Sequence, residues 1–176
     1  MNVKTLCLGT LCLGDSTGYE IKKLFEASFS HFHNASYGSI YPALNQLLQE
    51  DLVSCRIEPG EKHPNRKLFS VNNQGRKAFV AELASTPPKE HIRSEFLVLM
   101  FFAHLLTTER LREILEQIAT YYENELAHLN SLTNCPEHPP GICFAINYGI
   151  ASCQAKLDTI RNQGKTLLKQ HRKALG

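Results

Sequence analysis

Two groups of polar side chains, close together in the chain, carry the chemistry that this sequence offers. Tyr37, Ser39, Tyr41 and Asn45 fall in one stretch, and Lys62, His63, Arg66 and Lys67 follow on a polar turn opened by Pro59-Gly60. Hydroxyl and amide groups can hydrogen-bond base edges or phosphates, and a cationic tip can hold a phosphate backbone. Tyr41 could instead be a packing aromatic, but Ile40, Leu44 and Leu47 already supply an apolar back for its helix. Lys62, Arg66 and Lys67 could be no more than a solvated turn. The order helix, strand, charged turn, strand around them favours a contact with phosphate. Lys22 and Lys23 are weaker candidates, because exposed lysines decorate most helices.

Other chemistries fit less well. Cys135, His138 and Cys143, with Cys153 beyond, have side chains that suit zinc, yet no tetrad has a standard spacing and the prolines around them read as a helix-hairpin turn. Redox sensing by Cys7, Cys12 or Cys55 lacks any feature that would lower a thiol pKa, and free cysteines commonly serve as small buried hydrophobes. There is no Gly-rich phosphate loop, nucleophile elbow or HExxH helix, and the histidines are scattered. Neither an enzyme, a cofactor nor a metal site is expected.

The elements that must position the first two groups follow from periodicity and punctuation. Val3 to Leu13 has helical spacing and ends at Gly14. Thr17 and Glu20 match a capping box for a helix starting near Gly18, with Tyr19, Ile21, Leu24, Phe25 and Ser28 or Phe29 on its buried side. Pro42 must lie in a first helical turn, since proline has no N–H to donate, which starts the next helix near Gly38 or Ser39. Ile40, Leu44, Leu47 and Leu48 then share one face, and Tyr41, Asn45 and Gln49 another. Leu52 to Ile57 alternates as a half-buried strand, and Lys67 to Val71 returns to make a two-stranded wing. A helix from Arg76 to about Ala84, with Phe79, Val80 and Leu83 apolar, leads to Thr86-Pro87-Pro88, where a domain boundary is expected.

Beyond that point long helices are predicted. Ile92 to Leu106 is apolar on all sides over Phe96–Ala103, too short for a bilayer, and needs cover, some of it from another subunit. Leu111, Leu115, Ile118, Tyr122, Leu126, Leu129 and Leu132 step at a near-heptad rhythm, as do Leu157, Ile160, Gly164, Leu167, His171 and Leu175 after the CPEHPPG turn. Two such helices joined by a short loop predict an antiparallel hairpin and a dimerisation arm.

Composition constrains little. Residues 1–84 hold 9 basic and 8 acidic side chains and the remainder 10 and 9, so no half is grossly basic. The start has no signal-peptide cleavage site and no membrane span, and six cysteines without a CxxC pair suit a reducing cytoplasm.

In order and spacing, several pieces resemble the PadR family of bacterial transcriptional regulators. They are Thr17-Gly18-Tyr19-Glu20-Ile21, Gly38-Ser39-Ile40-Tyr41-Pro42-Ala43-Leu44, Asp51-Leu52-Val53, Arg66-Lys67-Leu68-Phe69-Ser70-Val71 and Gly75-Arg76. Arg93-Ser94-Glu95-Phe96 and the long C-terminal part are similar to the AphA-like branch, which has a large helical C-terminal domain. The resemblance implies a mainly α protein: an N-terminal winged helix-turn-helix over 1–86 and a helical dimerisation and effector domain over 87–176. It implies regulation of nearby genes by a homodimer on an operator of double-stranded DNA, with Tyr41 on the recognition helix and Arg66 and Lys67 at the wing. Two copies imply a pseudo-palindromic site. An unidentified small-molecule effector could act through the C-terminal helices, near the aromatic Phe96, Phe101 and Phe102. Asp51 departs from the family's usual glycine, but Asp tolerates left-handed backbone better than most residues. The competing reading is a winged-helix protein-interaction module that works through its helical arm without DNA.

Overall fold

The computed structural model of the chain describes residues 1–26, 37–59, 66–89, 94–133 and 139–175. It divides into two compact units, Met1–Glu90 and His91–Gly176.

In the first unit, helix α1 (Val3–Leu13) is capped by Asn2, whose side chain accepts from the Thr5 N–H. After Gly14 the chain makes a two-residue strand β1 (Ser16–Thr17) and enters α2 (Gly18–Leu24). The capping box forms: Glu20 N–H donates to Thr17 Oγ1 at 3.2 Å, and Thr17 N–H donates to the Glu20 carboxylate at 2.7 Å. A 3-10 turn (Tyr37–Ser39) leads into α3 (Ile40–Gln49), which has Pro42 in its first turn as required. Asp51 then takes a left-handed φ of 53°, so the residue that replaces glycine does adopt the turn. Strands β2 (Val53–Glu58) and β3 (Arg66–Val71) follow, then α4 (Asn73–Ser85).

The sheet is antiparallel with order β1-β3-β2, so the two-stranded wing gains a third strand: Ser16 pairs with Phe69 and Thr17 with Leu68. Strand β2 is not half-buried as its alternation suggested. Only Val53 is buried, and Ile57 is 66% exposed, because β2 is an edge strand that runs out past the core. The core is made by Cys7, Leu8 and Leu11 of α1, Ile21 of α2 and Phe25 after it, Ile40, Leu44 and Leu47 of α3, Val53 and Phe69. Tyr19 is exposed rather than buried, with Lys23 Nζ 4.9 Å from its ring centroid. In α4, Phe79 packs on this core, but Val80 and Leu83 are exposed. That helix begins three residues before Arg76 because Asn72 caps it, accepting from the Gly75 N–H at 2.8 Å.

In the second unit the expected 92–106 helix is shorter. Helix α5 (Glu95–Phe101) starts at the Ser94 cap, and a 3-10 turn (Ala103–Leu105) follows it. The buried His171 ring lies 3.1 Å from the Ala103 carbonyl and 3.1 Å from Thr108 Oγ1, tying that turn and the next helix start to the last helix. Helices α6 (Thr108–Leu132) and α7 (Pro140–Leu175) pack along their length. Leu111, Leu115, Leu126 and Leu129 of the expected seam are buried, as is Ile114, and Leu157 and Ile160 answer them from α7. Gly164 lets the helices approach, since a Cβ there would sit 3.2 Å from Leu115 Cδ2. Arg161 and Glu123 bridge them at 2.6 Å. Among the described residues no helix is long and apolar enough to cross a membrane.

Candidate nucleic-acid interface

Helix α3 owes its orientation to its apolar face. Ile40, Ala43, Leu44 and Leu47 are buried, so Tyr41, Pro42, Asn45, Gln46 and Gln49 face outward, and Tyr41 is 57% exposed. Burial of each of Ile40, Leu44 and Leu47 stabilises by about 1.5–3 kcal/mol, which fixes the rotation of the helix far more firmly than its polar face could. The outward face of α3 holds no carboxylate until Glu50, and that one is held by Lys4 at 2.8 Å and 2.9 Å. Ser39 sits at the N-cap without a side-chain capping bond, at the same end as Tyr41. Tyr37 opens the 3-10 turn, but its side chain, like Lys62 and His63, lies outside the described residues.

Arg66 and Lys67 begin β3 and are both exposed. They pair across the ladder with Glu58 and Ile57. Among the described residues neither belongs to a salt bridge, whereas Arg56 on the neighbouring strand is held by Asp15 and Glu58, both at 3.4 Å. The cation of Arg66 also reaches the start of α2. Glu20 is held below the usual carboxylate range first by its bond from the Thr17 backbone, then by the Thr17 hydroxyl, with a smaller attraction from Arg66. The structure thus joins Ser39, Tyr41, Asn45, Arg66 and Lys67 to one small unit, with the helix face set by the core and the wing root set by the sheet.

Three supporting residues escaped the pattern-based reading. Asn72 Nδ2 donates to the Asp51 carbonyl at 2.6 Å while Asn72 Oδ1 caps α4, so one side chain ties the end of α3's turn to the end of the wing. An Asn two residues before Gln74 is a cap signal, but its second partner is 21 positions away. Gly75 lies against the Leu52 carbonyl, and Gly18 lies under the ring of Tyr41. No local spacing announces contacts of that kind. On the thiol side, burial pushes Cys7 up to about 12 and raises Cys12, with Arg76 pulling the latter slightly back, so neither is an activated thiol. Cys135 and His138 of the zinc alternative lie outside the described residues.

Residues 7–81 match the Transcriptional regulator PadR-like family and residues 92–174 match the Virulence activator alpha C-term family. The chain is 24% identical over 113 residues to the negative transcriptional regulator PadR of Bacillus subtilis, a match covering 64% of this chain and 62% of the relative. It thus spans less than two thirds of that relative's length. A PadR-like transcriptional regulator of Bacillus cereus superposes with a TM-score of 0.85 at 26% identity, over 93% of this chain and 94% of the other. Bacillus subtilis PadR in complex with operator DNA has the same fold, with a TM-score of 0.77 at 18% identity over 96% and 98% of the two chains. Over residues 7–81 the chain thus belongs to the Transcriptional regulator PadR-like family, and over residues 92–174 to the Virulence activator alpha C-term family, which supplies its large helical C-terminal part.

Proposed function

We propose that this chain is a sequence-specific DNA-binding regulator that binds a pseudo-palindromic operator as a cytoplasmic homodimer. The observation that carries the reading is the pairing of a core-anchored α3, presenting Tyr41 and Asn45 outward, with a wing whose exposed Arg66 and Lys67 have no salt-bridge partner among the described residues. The relative solved with operator DNA supports it by its fold. In this reading α3 enters the major groove, where Tyr41, Asn45 and Ser39 contact bases or phosphates, and Tyr37, two residues before Ser39 in the sequence, is assigned to the same group. Arg66 and Lys67 at the start of β3 hold the backbone, and Lys62 and His63, just before them in the sequence, are assigned the same role. Residues 1–86 read the DNA and residues 87–176 pair the two copies.

The pairing follows from surface left uncovered in one copy. Leu97, Val98 and Phe101 are each more than half exposed on α5, a helix with no buried residue of its own, and Leu105 on the 3-10 turn after it is 74% exposed. Apolar surface of that density marks an interaction face. A dimer would set the half-sites about one helical turn, roughly 34–36 Å, or a multiple apart. An effector remains part of the proposal only as a class: the Bacillus subtilis relative is also known with p-coumaric acid.

The test is a gel shift at moderate salt with DNA from upstream of the chain's own gene, run beside sedimentation of the free protein. A shift of a defined fragment by a dimer is expected. An intact dimer that retards no fragment would leave the interaction-module reading standing in its place.

A further inference from the structure

Glycine at position 18 has no backbone reason to be there. It is the first residue of α2, no glycine among the described residues has a left-handed φ, and glycine is a poorer helix former than alanine. Its reason is a side chain. A Cβ on Gly18 would lie 2.7 Å from Tyr41 Cε1, 2.9 Å from Cζ and 3.1 Å from the hydroxyl oxygen, and these Tyr41 atoms are the nearest ones beyond its chain neighbours and its own helix backbone. Gly18 is buried while Tyr41 is 57% exposed, so the glycine is covered by a ring whose other side meets solvent. The contrast with Gly75 is instructive. There the nearest atom is a backbone carbonyl oxygen, and the substitution disturbs the fold itself. At Gly18 the obstacle is the outer end of a surface side chain, which can swing away about χ1 at small cost.

We infer that Gly18 is a positioning residue for DNA recognition: the missing side chain is a seat that holds the Tyr41 phenol in one direction over the recognition surface. This rests on the DNA-binding reading above. A tyrosine free to take several rotamers would lose side-chain entropy on meeting a base or phosphate, and a seated one has already lost it. The seat is itself fixed, because Thr17 caps α2 and pairs with Leu68 in the sheet. The geometry assigns Gly18 to orientation alone, since it has no side chain to offer the DNA.

The experiment uses the full chain and two readouts. In the free protein, the ring signals of 13C-labelled tyrosine, with Tyr41 assigned by loss in Tyr41→Phe, should move in Gly18→Ala while the other tyrosines and the thermal midpoint stay. Affinity is then measured for the duplex most enriched by the wild-type chain from a randomised pool. Gly18→Ala should weaken binding by about tenfold in the wild-type background, within the range a well-placed base contact supplies. In a Tyr41→Ala background it should change binding by less than about twofold, as coupling through one shared partner requires. Unmoved Tyr41 signals overturn the inference, and so does an equal loss in both backgrounds or none in either. A wild-type chain that enriches no duplex removes the DNA-binding reading, and the inference with it, so the two failures are told apart. Gly18→Ser, with a larger group on the same carbon, must shift the signals at least as far, and a smaller shift also counts against the seat.

Discussion

Gly75→Ala puts one methyl group into the most crowded of the described glycine positions in the N-terminal unit. The added carbon would face the Leu52 carbonyl oxygen first, then Val71 Cγ2 at 2.8 Å and the Leu52 carbonyl carbon at 3.1 Å. Two of these atoms are backbone, so no rotamer change relieves the contact. Either the first turn of α4 lifts or the Leu52 peptide retreats. Leu52 O accepts from Asn72 N–H at 3.2 Å and Leu52 N–H donates to Leu47 O at 3.0 Å, so a retreat loosens the joint between α3, β2 and α4. Overpacking of this kind costs about 1–3 kcal/mol, and losing one such hydrogen bond about 1 kcal/mol more. Alanine's better helix propensity returns about 0.5–1 kcal/mol. The net is a destabilisation of about 1–3.5 kcal/mol. With a urea slope of about 2 kcal/mol per molar, the midpoint should fall by about 0.5–1.8 M. The chain has no tryptophan, so unfolding is best followed by helical circular dichroism at fixed protein concentration. A midpoint equal to or above wild type refutes the reasoning, because it would mean that the helix gain outweighs a contact that cannot then be tight.

Three more outcomes follow from the same geometry. Arg66→Ala should weaken DNA binding and make the slope of log K against log salt less steep by about 0.9, the signature of one lost phosphate contact; an unchanged slope removes Arg66 from the backbone contacts. Leu129→Ala, at a position with no exposure in the α6–α7 core, should cost about 2–5 kcal/mol in chemical unfolding; a cost under about 1 kcal/mol would show that the site collapses around the cavity. Cys7 has its thiol raised from 9.0 to about 12 by burial, so on unfolding above pH 9 it releases a proton that the folded state keeps. Its contribution to stability is complete below pH 9 and is lost as pH rises towards about 12, at up to about 1.4 kcal/mol per pH unit. Cys7→Ala should flatten that alkaline decline in urea midpoints measured between pH 8 and 10.5, and an identical decline would show that other groups cause it.

What could be read in advance was whatever repeats or punctuates. The bounds of α1, the Thr17–Glu20 box, the Pro42 start of α3 and most of the α6 seam each follow from a local rule, and the structure agrees with them. The third strand was illegible because Ser16–Thr17 is two residues long, too short for alternation to register. Val80 and Leu83 misled because the face that α4 turns to the core carries Ala78 and Phe79, while Val80 and Leu83 are exposed. Helix α5 stops early where His171, nearly seventy positions on, meets the Ala103 carbonyl, and no window along the chain contains both. The candidate site divides in the same way. Which residues face out from α3 was legible from its apolar spacing; what holds them there, Gly18 beneath Tyr41 and Asn72 beneath the wing, is visible only once the chain has folded back.

That division explains why so short a strand as β1 matters. Two residues add little to a sheet energetically, yet Thr17 works in three directions at once. Its backbone is in register with Leu68 of β3, its hydroxyl accepts from the Glu20 N–H, and its own N–H donates to the Glu20 carboxylate that Arg66 attracts. The residue after it is the seat of Tyr41. Strand β1 and the start of α2 are therefore one piece of backbone, paired with the wing strand β3, and both groups singled out by their chemistry are tied to it. A contact surface assembled from a helix and a hairpin needs the two held to within about half an ångström if their contacts are to be made together. Core packing alone fixes the rotation of α3 but leaves the hairpin, beyond Val53 and Phe69, with no buried side chain to place it. The short strand supplies that placement through the backbone, where it does not depend on side chains that must stay exposed to meet a partner.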